Sequence, residues 1–292
     1  MIFRLPQAYR SLGVSITLLA MELPKSEALA NRLVWVAETG STNSDLISAA
    51  SKASLEPLPD FTVYVAGFQN AGRGRSGRAW LAPAGSSLFV SVLLRPNASI
   101  ETFSWLPLLA GLAMSRAVRS RLATNHELGV KWPNDVLVDG KKVCGVLSEL
   151  LPDLSGVVVG AGLNLTLSPD QLPVETATSL GLLGDPDAER SLGGAIEAGA
   201  LDEILAAYLG ELRSLLVDFN QHRGNAALAG LMGQVIAGCV TLGQQVRVIM
   251  PGDQELWGLA KSIDEQGRLV VEKPDSKTVA VSAGDIVHLR LQ

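Results

Sequence analysis

Three arginines separated by glycines lie between Gly72 and Arg78, in the run Gly-Arg-Gly-Arg-Ser-Gly-Arg. Arginine has a planar fork of N–H donors that pairs with phosphate or carboxylate, and glycine lets the backbone come close to a ligand. Because the formal net charge is −5, only a local cluster of this kind could attract an anion. We expect this arginine loop (residues 72–78) to be disordered until it closes over a ligand, since ordering costs about 1–2 kcal/mol per residue.

The arginine loop also satisfies the G-x-G-x-x-G pattern of dinucleotide-binding proteins. That pattern works only between a strand and a helix whose N-terminus receives the pyrophosphate. Here a stretch containing Trp80 and Pro83 follows, which cannot begin a helix, and a nearly all-apolar run comes next at residues 87–94. The context therefore excludes a dinucleotide site, and an anion-binding loop is favoured over a solvated basic turn.

A second polar group surrounds a Trp-Pro corner, where Lys131 and Asp135 flank Trp132-Pro133-Asn134. Lys142 follows on the return strand of a predicted hairpin, and Gly145 within that strand indicates close approach of a ligand or backbone. Asp135 could hold a divalent cation or position an amine. Singly, such residues usually form a turn or solubilise an edge strand. Together with the arginine loop they predict an anion-binding site. Joining a carboxylate to ATP requires such a site, because fixed cations reduce the repulsion between the two anions.

The elements that must position these residues alternate short β-rich runs with turn residues. In the first part of the chain we predict strands at 34–36, 62–68, 87–94, 128–131, 136–138, 143–149 and 157–163. A helix is predicted from the polar residues 41–45 to Ala50, and amphipathic helices at 104–122 and 201–219. Five further strands at 245–250, 256–263, 269–272, 278–281 and 286–291 predict a small SH3-like barrel.

The composition, 47% hydrophobic and 18% charged in 292 residues, predicts a globular chain with one large and one small domain. We assign residues 1–32 to a lead-in, 33–230 to a catalytic domain and 231–292 to the β domain. The apolar run 13–21 resembles a secretory signal, but charged residues at 22, 25 and 27 interrupt the approach to the supposed cleavage point, and the run is too short to span a bilayer. The two cysteines and three histidines show neither a disulfide framework nor zinc-ligand spacing, so a cytoplasmic protein is expected.

Five motifs in order resemble one family: Gly40-Ser41-Thr42-Asn43, the run from Gln69 to Arg78, Lys131-Trp-Pro-Asn-Asp135, Lys142-Val-Cys-Gly145 and Gly160-Ala-Gly-Leu-Asn164. From about residue 33 onward the chain resembles biotin–protein ligases. The resemblance implies an α+β fold, with a class II synthetase-like mixed sheet flanked by helices and an SH3-like C-terminal barrel. It also implies a two-step reaction, in which biotin and Mg-ATP form biotinyl-5′-adenylate and a carrier lysine then receives the biotin.

The site residues implied by the resemblance fall into three groups. The residues expected to bind biotin are Ser41, Thr42, Asn43 (in support), Gln69, Arg73, Gly74, Arg75, Lys142 and Gly145. Those expected to bind ATP and the adenylate are Arg75, Arg78, Trp80, Lys131, Asn134 and Asn164, with adenine between Trp80 and Asn164. Catalysis is expected from Arg73, Lys142 and Asp135, and Asp135 is the candidate Mg²⁺ ligand.

The resemblance further implies a biotin carboxyl carrier domain of a biotin-dependent carboxylase as partner, and a monomer or weak homodimer. No membrane or nucleic-acid partner is expected. Some family members carry an N-terminal winged helix-turn-helix and repress transcription. The stretch before Gly40 is too short for that module, so we expect no repressor function.

Two alternatives remain open. A lipoate–protein ligase would share the fold and the adenylation chemistry, but should show an Arg-Arg…Gly-Gly-Gly…His-Asp pattern, and no histidine precedes His126 here. A nucleic-acid-binding module would use the arginine loop and the barrel. The acidic net charge and the lack of aromatic residues among the arginines argue against that class.

Overall fold

The computed structural model describes residues 21–52, 57–250 and 254–288. The apolar run predicted at 13–21 lies, except for its last residue, outside these ranges. No helix of the described ranges is long and apolar enough to cross a membrane.

A seven-stranded mixed sheet forms the larger unit, in the order β1-β2-β3-β7-β6-β5-β4. Only β1 and β2 pair in parallel, and the other neighbours are antiparallel. The predicted mixed sheet is thus confirmed. The strands are β1 (Arg32–Val36), β2 (Thr62–Ala66), β3 (Ser87–Leu94), β4 (Leu128–Lys131), β5 (Asp135–Val138), β6 (Lys141–Leu150) and β7 (Val157–Asn164).

Helices cover both faces of this sheet because side chains alternate along each strand. One face packs against α3 (Leu106–Arg119), which in turn packs against α5 (Ala198–Gln221). The other face packs against α2 (Thr42–Lys52) over a smaller apolar cluster. Apolar positions of β3 and β7 such as Val90 and Val159 face α3, so their neighbours Ser91 and Gly160 lie on the α2 face.

The helix predicted at 104–122 differs from the structure in two respects. Residues Ile100–Trp105 form a 3₁₀ segment, and the α-helix begins at Leu106, with a proline in its first turn, where the missing N–H costs nothing. The helix is also buried almost all round rather than on one stripe, because α5 covers the side that faces away from the sheet.

The C-terminal unit is a five-stranded antiparallel sheet in the order β11-β10-β9-β8-β12, which confirms the SH3-like β domain. Two fully buried tryptophans attach it to the larger unit: Trp105 Nε1 donates to Glu265 O and Trp132 Nε1 to Gly267 O, both at 2.9 Å. One apolar core therefore runs through both units. The strands are β8 (Gln245–Met250), β9 (Gln254–Ile263), β10 (Leu269–Glu272), β11 (Thr278–Val281) and β12 (Asp285–His288).

Three short helices complete the described fold. The first, α1 (Pro24–Glu27), has no capping side chain of its own; instead the buried Asp202 of α5 accepts hydrogen bonds from the backbone N–H of Lys25 and Ser26, each at 2.9 Å. This carboxylate acts as an N-cap from a distant part of the chain. The other two are α4 (Pro186–Arg190) and α6 (Leu231–Ala237).

Candidate active site

A cavity of about 1650 Å³ opens on the α2 face of the large sheet and extends to the C-terminal unit. Every site residue predicted from the sequence lines it. These residues come from the start of α2, from the segment 69–80 that contains the arginine loop, and from the strands β4 to β7 with the turn between β4 and β5. The predicted residues on its wall are Ser41, Thr42, Asn43, Gln69, Arg73, Gly74, Arg75, Arg78, Trp80, Lys131, Asn134, Asp135, Lys142, Gly145 and Asn164.

One end of the cavity is lined by buried, uncharged polar groups at the start of α2. The Gln69 Oε1 atom accepts from the backbone N–H of Thr42 at 2.7 Å, which fixes the orientation of this amide and leaves its N–H groups available. Among the described residues the Ser41 hydroxyl has no hydrogen-bond partner, so it too can bind a ligand. In contrast, Asn43 is fully used within the protein, since its amide donates to Leu147 O and Glu149 Oε2.

The middle of the cavity has a floor of glycines on which an indole ring lies. Gly145 and Gly162 are paired neighbours on β6 and β7, and a Cβ on either would come within 2.9 Å or 2.6 Å of the Trp80 ring. The Lys142 Nζ atom lies 5.2 Å from the centre of that ring, a cation–π contact. Glycine at these two positions therefore lets the Trp80 ring lie against the sheet with the Lys142 ammonium beside it.

The arginine loop crosses the cavity with each guanidinium held by a different element. Arg73 pairs with Glu149 of β6 and Arg78 with Asp285 of β12, both at 2.7 Å. Arg75 donates to Asn134 Oδ1 at 2.9 Å, and burial is the main cause that lowers its pKa; arginine nevertheless remains charged in proteins. The loop contains a 3₁₀ turn (Arg75–Gly77) and no α-helix before β3, which agrees with the exclusion of a dinucleotide site.

Four ionisable residues meet at the other end of the cavity. The Lys142 Nζ atom lies 2.6 Å from Asp135 Oδ1. Burial lowers the pKa of Lys131, while the nearby Asp135 carboxylate raises it. Burial and the charge of Lys131 lower the pKa of His288 to about 4, so this histidine is neutral at pH 7. The local positive charge therefore comes from the lysines and arginines.

Several residues of the site were missed from the sequence. Asp285 and His288 reach the cavity from β12, more than a hundred residues from the motifs, and no local pattern indicates them. The segment 173–178 lies beside Lys142, whose N–H donates to Thr176 O at 2.7 Å. Glu149 had a usable signal, because it lies two and four residues beyond Leu147 and Gly145 on the same face of a strand.

Comparison with known proteins agrees with this geometry. The Biotin/lipoate A/B protein ligase family matches residues 37–164 and the Biotin protein ligase C terminal domain matches residues 241–289. The Biotin--[acetyl-CoA-carboxylase] ligase of Mycobacterium tuberculosis is 40% identical over 258 residues, which cover 87% of this chain and 88% of that protein. The Bifunctional ligase/repressor BirA of Escherichia coli is 30% identical over 72% of this chain and 61% of its own length.

Solved structures show the same relationship. The biotin protein ligase from Aquifex aeolicus in complex with biotin and ATP has a TM-score of 0.68 and 27% identity, and covers 89% of this chain and 100% of its own. The five predicted motifs lie within residues 37–164, and the strands β8 to β12 lie within residues 241–289. The chain belongs to the biotin protein ligase family.

Proposed function

We propose that this ligase joins biotin to ATP as biotinyl-5′-adenylate, with release of pyrophosphate, and then transfers biotin to a lysine of a biotin carboxyl carrier domain. The observation that carries the proposal is the composition of the cavity, in which a buried, uncharged polar pocket adjoins a cluster of cations. A small acid with a neutral polar head and a carboxylate tail is complementary to these two ends.

The neutral end binds the biotin head group. Ser41 and Gln69 offer a hydroxyl and amide N–H groups that would be left unpaired by a ligand without polar head-group atoms, at a cost of about 1–3 kcal/mol for each, and Thr42, whose hydroxyl is already hydrogen-bonded, offers a lone pair beside them. Asn43 supports them rather than touching biotin, because its amide is already used. This end distinguishes biotin from lipoate, whose ring carries no ureido group.

The cationic end carries out adenylation. A carboxylate oxygen of biotin attacks the α-phosphorus of ATP, a new oxygen–phosphorus bond forms, and the bond to the pyrophosphate oxygen breaks. Lys142 and the three loop arginines stabilise the negative charge at the junction, and Lys131 lies at the same end for the departing phosphates. Trp80 provides the flat surface for adenine, and Asn164 closes the other side.

The transfer step uses the same junction. The neutral amine of the carrier lysine attacks the acyl carbon, the bond to the phosphate oxygen breaks, and AMP leaves. The amine loses a proton in this step, and Asp135 is the carboxylate of the site placed to accept it or to position the amine. Closure of the arginine loop over the adenylate limits its hydrolysis by water.

Asp135 is also the residue that would hold Mg²⁺. Its carboxylate lies beside the cation cluster with one oxygen paired to Lys142, and a single protein carboxylate suits Mg²⁺, which takes most of its ligands from water and substrate phosphates. Bound Mg²⁺ would neutralise part of the phosphate charge.

Two further properties stay predictions. A cytoplasmic location is supported by two free, buried cysteines, and a monomer or weak homodimer remains to be measured by sedimentation. Disorder of the ligand-free arginine loop can be tested by trypsin, because three arginines lie within it. Biotin and ATP together should slow cleavage there, and equal cleavage with and without them would contradict the closing movement.

Exchange of labelled pyrophosphate into ATP tests the proposed function, with biotin, lipoate and octanoate as separate acids. Exchange with biotin alone supports the proposal, and labelling of a purified carrier domain then tests the transfer step. Exchange with lipoate would move the protein to lipoate ligation. No exchange with any acid, together with a salt-sensitive shift of plain DNA, would favour the binding-module alternative.

A further inference from the structure

The neutral pocket and the arginine loop are joined by an unbroken row of hydrogen bonds. The hydroxyl oxygens of Thr42 and Ser91 are 2.8 Å apart, and Ser91 Oγ is 2.6 Å from Asn43 Oδ1. The amide of Asn43 donates to Glu149 Oε2 at 2.9 Å, and Arg73 donates to the same oxygen at 2.7 Å. One carboxylate oxygen of Glu149 thus accepts hydrogen bonds both from Asn43 on the biotin side and from Arg73 on the phosphate side.

The direction of these hydrogen bonds is set by the groups at the Glu149 end. A carboxylate and a backbone carbonyl only accept, so the Asn43 amide nitrogen must face Glu149 and Leu147, and its oxygen must face Ser91. An amide oxygen also only accepts, so the single proton of the Ser91 hydroxyl points to Asn43. At the other end of the row, Thr42 Oγ1 also lies 3.0 Å from Gln69 Oε1, which only accepts, so the Thr42 hydroxyl donates within the protein and keeps a lone pair for a ligand N–H group.

Burial makes this arrangement strict on the biotin side. Ser91 is fully buried, and Thr42 and Asn43 are each 4% exposed, so water cannot replace a lost partner. Ser91 is also a polar residue in a strand that is otherwise almost entirely apolar. An unpaired buried polar group is costly, and loss of the Glu149 carboxylate leaves the Asn43 amide with Leu147 O as its remaining acceptor, so the Asn43 side chain is held less firmly.

On the phosphate side, Glu149 fixes the position of Arg73 without occupying all of its N–H donors. The pair uses Nη2 of Arg73, and the remaining N–H groups of the guanidinium fork are free to meet an anion. The Arg73 side chain is 44% exposed and that of Glu149 is 25% exposed, so the glutamate is the more firmly held partner. A long arginine on a glycine-rich loop needs such an anchor to point into the cavity.

We propose that Glu149 is a positioning residue that holds both the Asn43 side chain beside the biotin pocket and Arg73 where the adenylate phosphate binds. The proposal rests on the adenylation activity inferred above. Glu149 touches neither substrate, and its effect on the reaction passes through Asn43 on one side and Arg73 on the other.

The test is the Glu149→Gln variant, which keeps the size of the side chain and removes its charge. Two quantities are measured: the dissociation rate of preformed biotinyl-adenylate, and the affinity for biotin alone by calorimetry. We expect dissociation about tenfold faster and biotin binding about three- to tenfold weaker, since hydrogen bonds to charged groups are the strong ones. Dissociation that is unchanged or slower overturns the proposal, because a glutamate that merely competes with phosphate for Arg73 would give tighter retention when neutralised.

Two controls separate positioning from general stability. Glu211→Gln removes an ion pair of similar exposure with Arg116, between α3 and α5, and should leave both quantities within about twofold. When Arg73 is already replaced by glutamine, Glu149→Gln should have little further effect on the rate of adenylate dissociation, but it should still weaken biotin binding. Fully additive effects on dissociation would show that Glu149 does not act through Arg73.

If the glutamine variant does not fold, Glu149→Asp keeps the charge on a side chain one methylene shorter. It should stay closer to wild type than Glu149→Ala in biotin affinity and in adenylate retention, and a loss of adenylate retention as large as that of Glu149→Ala would contradict the role of the charge. Wild-type protein that forms no adenylate refutes the proposed function itself. Wild-type activity with an unaltered Glu149→Gln variant refutes only the role of Glu149.

Discussion

Replacement of Gly162 by alanine tests whether Trp80 is the surface on which the nucleotide stacks. An added Cβ would lie 2.6 Å from both Cε2 and Nε1 of the indole, whereas ordinary contact begins at 3.4 Å. The ring must therefore move by about 1 Å, and overpacking of this kind costs about 1–3 kcal/mol. If that energy is lost from nucleotide binding, the affinity for ATP falls by about 5- to 150-fold.

A matched substitution two residues earlier should affect the other substrate. A Cβ on Gly160 would lie 2.2 Å from Asn43 Oδ1, so Gly160→Ala displaces the residue that supports the biotin pocket. Gly160 and Gly162 share a strand and a face, and they differ only in the side chain they accommodate. Gly233→Ala is the neutral control: no atom lies within 4 Å of its Cβ, and alanine in a helix should stabilise by up to about 1 kcal/mol.

The assay is pyrophosphate exchange with the KM for ATP and the KM for biotin measured separately, together with the melting temperature of each variant. Gly162→Ala should raise mainly the KM for ATP, and Gly160→Ala mainly the KM for biotin. If Gly162→Ala raises the KM for biotin while the KM for ATP stays within twofold of wild type, the indole of Trp80 does not support the nucleotide.

Three other predictions concern charge, capping and pH. Lys142→Gln should slow adenylate formation by about 100-fold or more with little change in melting temperature, measured by single-turnover kinetics; a loss below tenfold would remove Lys142 from the junction. Asp202→Ala should lower the free energy of unfolding by about 1–3 kcal/mol, because it uncaps α1. Lys25→Ala breaks only an exposed ion pair and should lower that free energy by less than about 1 kcal/mol. Equal losses of the two variants in urea titrations would contradict the capping role of Asp202. The pKa of His288 is lowered from 6.5 to about 4 by burial and then by Lys131, so the unfolded chain binds its proton more readily and stability should fall as the pH decreases from 6.5 towards 4. His288→Gln should flatten the pH dependence of unfolding in that window, and a slope equal to that of wild type would show that His288 does not cause it.

The motifs were predictable because each is a local arrangement. A glycine-spaced run of arginines and a Trp-Pro corner between a lysine and an aspartate carry their chemistry in adjacent residues, and the turn residues around them mark where strands end. Strand bounds followed from alternation and turn signals: 128–131, 245–250, 269–272 and 278–281 agree with the structure to the residue. Family resemblance then supplied the order in which these local pieces act.

Alternation along a strand tells which residues share a face, but it does not tell which strands become neighbours. The insertion of β7 between β3 and β6 brings Gly162 opposite Gly145 and makes the floor for Trp80. No property of either glycine in isolation indicates that pairing, because it depends on how the whole sheet is ordered.

Motif chemistry, the two-unit organisation and most of the strands follow from the amino-acid sequence alone, since these depend on neighbours in the chain. Contacts between distant segments follow only from the folded chain: α3 is buried almost all round, Asp285 meets Arg78 from 207 residues away, and Glu149 joins the two halves of the site. Such contacts are fixed by the packing of one core against both units, where the gain from burial outweighs the entropy of bringing distant segments together.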